Sequence, residues 1–60
     1  MQLFKELDII KLNCDIIEEC LYTGDIGTIV HIYPDNKTYE IEIYDNVYTL
    51  TSDKFFKNNT

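Results

Sequence analysis

Two glycines three residues apart, Gly24 and Gly27, lead into Thr28-Ile29-Val30, and an alternating run follows at Tyr39-Glu40-Ile41-Glu42-Ile43-Tyr44. Glycine tolerates positive φ and lets another backbone approach closely, which suits a tight turn and a crowded strand entry. Alternation of apolar and polar residues with period two belongs to a strand with one face buried. The stretch thus reads as a glycine turn feeding two antiparallel strands at the centre of a very small β-barrel. Any fold for this chain has to accommodate that hairpin.

The flanking segments supply the remaining strands. Leu7, Ile9, Ile10 and Leu12 place a first strand over residues 7–12, with a short helix in 2–7 as the alternative. Ile17 and Leu21 have helical spacing, enough for one or two turns or a folded loop, and Asp15 is positioned to cap such a turn. The second strand spans Ile26 to Tyr33, and Pro34-Asp35-Asn36-Lys37 is a turn by composition. The third strand is Thr38 to Tyr44, Asp45-Asn46 marks a two-residue hairpin, and the fourth strand is Val47 to Thr51. A short 3₁₀ turn at Ser52-Asp53-Lys54 precedes a brief last strand at Phe55-Phe56. Residues 1–56 form one domain on this reading, and the tail at 57–60 frays.

Register follows from the two hairpin centres. With Asp35-Asn36 central to the first, Ile32 faces Tyr39, Val30 faces Ile41 and Thr28 faces Ile43. With Asp45-Asn46 central to the second, Ile43 faces Tyr48 and Ile41 faces Leu50. The core face is then Thr28, Val30, Ile32, Tyr39, Ile41, Ile43, Tyr48 and Leu50. The outward face is Ile29, His31, Tyr33, Glu40, Glu42, Tyr44, Val47, Thr49 and Thr51. A one-residue slip would exchange the two sets.

Charge narrows the function classes. Eleven acidic residues face five lysines with no arginine, a formal net charge of −6 on 60 residues. Such a chain repels phosphate backbones, whose neutralisation by Lys and Arg drives non-specific nucleic-acid affinity. Direct nucleic-acid binding is therefore not expected, and a protein partner with a basic surface suits the field. The apolar fraction of 45% sets the chain apart from acidic disordered sequences. The start, Met1-Gln2-Leu3-Phe4-Lys5-Glu6, carries no basic segment followed by an apolar run, and no stretch approaches the roughly 20 apolar residues of a membrane helix. A cytoplasmic protein with Cys14 and Cys20 as reduced thiols is expected.

Five short strands, a long first loop, a Gly-x-x-Gly strand entry and a 3₁₀ turn before the last strand resemble SH3-like barrels. More closely, Leu7-Asp8-Ile9-Ile10, then Leu21-Tyr22-Thr23-Gly24-Asp25-Ile26-Gly27-Thr28-Ile29-Val30, Tyr39-Glu40-Ile41-Glu42-Ile43 and Leu50-Thr51 resemble the small bacterial domain-of-unknown-function family 4926. The similarity runs from about Leu7 to Phe55, and the chain departs from it at Asp45-Asn46, shorter than the Gly-containing loop expected there. The resemblance implies an all-β, five-stranded SH3-like antiparallel barrel. It carries no activity over.

Candidate chemistry is sparse. Cys14, Cys20 and His31 are too few and too widely spaced for a structural zinc site, so no metal or other cofactor is expected. His31 opposite Glu40 is an acid–base pair in principle, but on a solvated sheet face with no nucleophile it reads as a cross-strand surface pair. Asp15, Glu18, Glu19 and Asp25 lack the ligand order of a calcium loop and form an acidic rim or docking patch. Tyr33 and Tyr44 beside Glu40 and Glu42 have interface composition, unless the N-terminal segment or the first loop covers them. Gly24 and Gly27 are followed by a strand and no Lys-Ser/Thr, so they are not a phosphate loop.

The expectation is a non-enzymatic protein-interaction module, in its concrete form an acidic immunity or antitoxin-type regulator covering a nuclease-like partner's basic groove. Its partner-binding residues are Tyr33, Glu40, Glu42, Tyr44, Asp15, Glu18 and Glu19. The alternative is a structural accessory subunit of a larger enzyme or redox complex, docking through the tyrosine-bearing sheet face. A hydrolase or metal enzyme would need His31 or the cysteines to be essential.

Overall fold

A computed structural model describes residues 4–58. Five strands make one antiparallel sheet: β1 Ile9–Leu12, β2 Ile26–Ile32, β3 Thr38–Ile43, β4 Asn46–Thr51 and β5 Phe55–Lys57. Their order across the sheet is β4-β3-β2-β1-β5, so each of the first three strands in the chain lies beside its successor, and the last returns to β1. The only helical pieces among the described residues are two 3₁₀ turns, Ile17–Glu19 and Ser52–Lys54. The all-β reading and the 3₁₀ turn before the last strand stand. A helix in 2–7 does not: Glu6 and Leu7 form a turn, and residues 1–3 lie outside those described.

The sheet curls around its core without closing, because no ladder joins β4 to β5. In a flat sheet β3 and β5 would stand about 14 Å apart, three strand spacings. Instead Tyr39 of β3 and Phe55 of β5 meet edge-on with ring centroids 5.5 Å apart, and Phe4 packs against both at 5.5 and 5.1 Å. These T-shaped contacts are the favoured aromatic geometry. They close over a core of Ile10, Leu12, Leu21, Ile29, Tyr39, Ile41, Ile43, Leu50 and Phe55, with Ile32 and Tyr48 packed at its margin. Leu21 enters that core from the long first loop, where it exchanges backbone hydrogen bonds with Ile16 at 2.8 and 3.1 Å.

Two features depart from the register read off the sequence. Ile32 pairs with Tyr39 and His31 with Glu40, as expected, but Ile29 then pairs with Ile41 and Thr28 with Glu42. Val30 is the extra residue of a β-bulge. The bulge turns Ile29 fully inward and leaves Val30 exposed, reversing the expected assignment of both and moving Thr28 to the outer face. The physical gain is clear: burying a large aliphatic side chain contributes about 1.5–3 kcal/mol, whereas a buried threonine hydroxyl needs a partner. The bulge also brings Gly27 inward, where a Cβ would stand 2.6 Å from Ile43 Cγ1, 2.7 Å from Ile41 Cγ2 and 2.9 Å from the Glu42 carbonyl oxygen. Only glycine fits there.

The second departure is the β3–β4 hairpin. Ile43 pairs with Asn46, Ile41 with Tyr48 and Tyr39 with Leu50, so the turn is centred on Tyr44-Asp45 and not on Asp45-Asn46. Both central residues have positive φ, 52° and 68°, the signature of a type I′ turn. The shift is by two residues and keeps every side chain on its expected face. One local and one long-range hydrogen bond hold it: Asn46 Nδ2 donates to the Tyr44 carbonyl at 3.3 Å, and the Tyr44 hydroxyl donates to Asp25 Oδ1 at 3.0 Å.

Candidate functional site: the outer face of the sheet

Pairing across the strands lays the outward side chains in rows. Val47, Glu42, Thr28 and Ile9 face one another across β4, β3, β2 and β1. On one side lie Thr49, Glu40 and His31, and on the other Ile26, Lys11 and Phe56. Ile9, Ile26, Val30, Val47 and Phe56 are all exposed, Val47 at 56%. Ile9, Ile26 and Phe56 lie around Lys11 at the β1 side, and Val47 stands across the sheet from Ile9 with Glu42 and Thr28 between them. The carboxylates of Glu40 and Glu42 stand on the same face.

The tyrosines divide between the two ends of β3. Tyr33 is half-buried beside its start: its hydroxyl donates to Glu40 Oε2 at 2.7 Å, and its ring meets His31 edge-on at 4.9 Å. Donation to a carboxylate favours the neutral phenol, so the Tyr33 pKa is raised above 10.0. Tyr44 sits at the far end in the I′ turn, 71% exposed, and its hydroxyl bond to Asp25 raises its pKa in the same way. The strand between them spans about 20 Å, so Tyr33 and Tyr44 are not one cluster.

Asp15 does not cap the 3₁₀ turn. Ile16 holds the N-cap position without a side-chain bond. Asp15 instead accepts from the Thr23 amide at 2.8 Å and the Thr23 hydroxyl at 2.9 Å, which lowers its pKa below 3.8, the amide bond contributing most. It staples the loop across eight residues, a geometry invisible to a local reading. Asp25 does the same for the turn before β2, accepting from the Tyr22 amide at 2.9 Å while it holds Tyr44. Glu18 and Glu19 are exposed on the 3₁₀ turn. Thus Asp15, Glu18, Glu19 and Tyr44 belong with the first loop, and Tyr33, Glu40 and Glu42 with the sheet.

Sequence reasoning missed Ile9, Ile26 and Phe56 as members of the outer face. The signal was present as Ile9-Ile10-Lys11-Leu12, but four largely apolar residues do not announce which pair faces the core. Ile29, expected outside, is buried. Cys14 and Cys20 are both free thiols, the first half-buried and the second exposed. Among the described residues no group of three or more His, Cys, Asp or Glu side chains is placed to hold a metal ion. No helix among the described residues is long and apolar enough to cross a membrane.

Strand order, curl and exposed face together define a small all-β domain with five antiparallel strands. The chain belongs to the family described as Domain of unknown function (DUF4926), whose model matches residues 6–56. No curated protein matches the chain, and no solved structure does.

Proposed function

We propose that the protein is a non-enzymatic interaction module whose outer sheet face docks on a protein with a basic surface. The observation that carries this reading is the row Val47–Glu42–Thr28–Ile9 with its neighbours, where exposed aliphatic side chains and unneutralised carboxylates occupy one continuous face. Among the described residues the ion pairs are Lys54–Asp53 and Lys57–Asp8, so neither Glu40 nor Glu42 has a cation of its own. A partly apolar surface whose carboxylates carry no ion pair among those described is complementary to a basic, partly apolar one, and the net charge of −6 steers such a partner from a distance. In its concrete form the protein is an acidic regulator of the immunity or antitoxin type that covers a nuclease-like partner's substrate groove. A cytoplasmic setting fits the free thiols.

A second reading has its own observation. Ile9, Ile26 and Phe56 lie away from the two glutamates, and apolar contact through them suits an accessory subunit of a larger assembly. Capture of partners from a native extract, with the wild-type chain and with Glu40→Lys/Glu42→Lys, separates the two. A basic protein retained at low salt, released as salt rises and lost with charge reversal supports the acidic module. A partner that resists both changes would overturn it in favour of the accessory subunit.

A further inference from the structure

The sheet has two open edges, and they differ in chemistry. The β5 edge offers three residues, Phe55–Lys57, ending in a lysine, which is how natural proteins blunt an edge. The β4 edge offers Asn46-Val47-Tyr48-Thr49-Leu50-Thr51 with no charge, no glycine and no proline. Among the described residues no strand pairs with its outer side.

The hairpin register shows which groups that edge presents. In an antiparallel pair successive residues alternate between hydrogen bonding to the partner strand and pointing away from it. The I′ turn makes Ile43 and Asn46 a bonded pair, which extends to Ile41–Tyr48 and Tyr39–Leu50. The Ser52 amide, donating to the Lys37 carbonyl at 2.9 Å, continues the same phase. The backbone groups of Val47, Thr49 and Thr51 therefore point outward, and their side chains lie on the outer face with Glu40 and Glu42. Two carboxylates flank the edge. Asp45 precedes β4 and forms no ion pair among those described, while Asp53 follows it, hydrogen-bonded to the Thr51 hydroxyl and 3.8 Å from the Lys54 ammonium.

We propose that the free edge of β4 accepts an extended strand from a protein partner, uncharged and β-branched in its middle and carrying Lys or Arg at both ends. This rests on the reading of the partner as basic and adds how it is held. Main-chain hydrogen bonds to Val47, Thr49 and Thr51 supply the docking, and the terminal cations meet Asp45 and Asp53. Charge excludes a second copy of this chain as the occupant. The antiparallel register that uses all three residues sets Thr49 against its own copy, Val47 against Thr51, and Asp45 against Asp53 twice over. Like charges directly opposite are destabilising, and each chain brings a net charge of −6.

The test is amide hydrogen exchange on the full chain with the capped peptide Lys-Val-Thr-Val-Thr-Val-Thr-Val-Lys, and with its counterpart bearing Glu at both ends. The basic peptide slows exchange at Val47, Thr49 and Thr51 at least about ten-fold, and the acidic one leaves these amides unchanged. Thr49→Pro removes the central donor and abolishes the effect; proline is tolerated where an edge amide faces outward. Thr49→Lys serves as the second variant, and unchanged exchange at Ile41 certifies either fold. Lack of slowing, equal slowing by both peptides, or slowing without peptide that grows with protein concentration each overturns the proposal, the last by identifying a second copy as occupant. Peptide protection that survives Glu40→Lys/Glu42→Lys, in a chain whose natural partner is captured regardless of that change, defeats the outer-face reading and leaves the edge intact.

Discussion

Ile29 and Val30 are adjacent, both β-branched and nearly equal in size, yet one is wholly buried and the other exposed. The difference between the two faces of this sheet is concentrated in that pair. The inner face is saturated: every residue on it meets another strand, and at Gly27 there is no room for a single methyl group. The outer face mixes Ile9, Ile26, Val47 and Phe56 with Lys11, Thr28, His31, Glu40, Glu42 and Thr49. Where two adjacent β-branched residues are about equally apolar, the fold chooses between them by fit, and the one that does not fit stays exposed.

The largest effects should fall on the inner face. Ile29→Ala removes a fully buried side chain and is expected to cost about 2–5 kcal/mol, enough to unfold much of so small a domain, whereas Val30→Ala should stay within about 0.5 kcal/mol. Thermal melts of the two variants measure the contrast, and equal losses would mean that the bulge lies elsewhere. Gly27→Ala comes next, at about 1–3 kcal/mol, because the new Cβ meets backbone as well as side chains. Urea midpoints would show it.

Outer-face changes should separate binding from stability. Glu42→Lys is expected to leave the melting temperature within about 4 °C of wild type while weakening association with a basic partner about ten-fold. A melt that moves further would make Glu42 a structural residue.

The smallest effect is that of pH. Asp35 accepts from the Lys37 amide at 2.8 Å and the Thr38 amide at 2.9 Å, Lys37 contributing most to a pKa below 3.8, and Asp15 and Asp53 are lowered likewise. A carboxyl whose pKa is lower folded than unfolded stabilises the fold above the unfolded value and loses that contribution as pH falls through the folded one. Stability should therefore drop as pH falls below about 4, and Asp35→Asn should flatten that acid limb. An unaltered acid profile in this variant would assign the drop to the other carboxyls.

Strand positions, the Pro34–Lys37 turn and the 3₁₀ turn were legible because each depends on a few neighbouring residues. Tyr39, Ile41, Ile43 and Leu50 were legible as core because they alternate on strands without irregularity. Thr28, Ile29 and Val30 were not, since a bulge leaves no mark in the alternation of three β-branched residues. The candidate site was legible in Glu40, Glu42 and Val47, and hidden in Ile9, Ile26 and Phe56, whose company on one face depends on β1 being the strand that joins β2 to β5.

By itself, then, the sequence determined the number and nature of the strands and the acidity of the surface, both properties of local pattern and composition. Which isoleucines are buried, where the second hairpin turns and which edge stays open emerged from the assembled sheet alone. Those outcomes rest on contacts between residues far apart in the chain: Gly27 beneath Ile41 and Ile43, and Tyr44 held by Asp25. The balance of burial that places them can be struck only when all the strands are present.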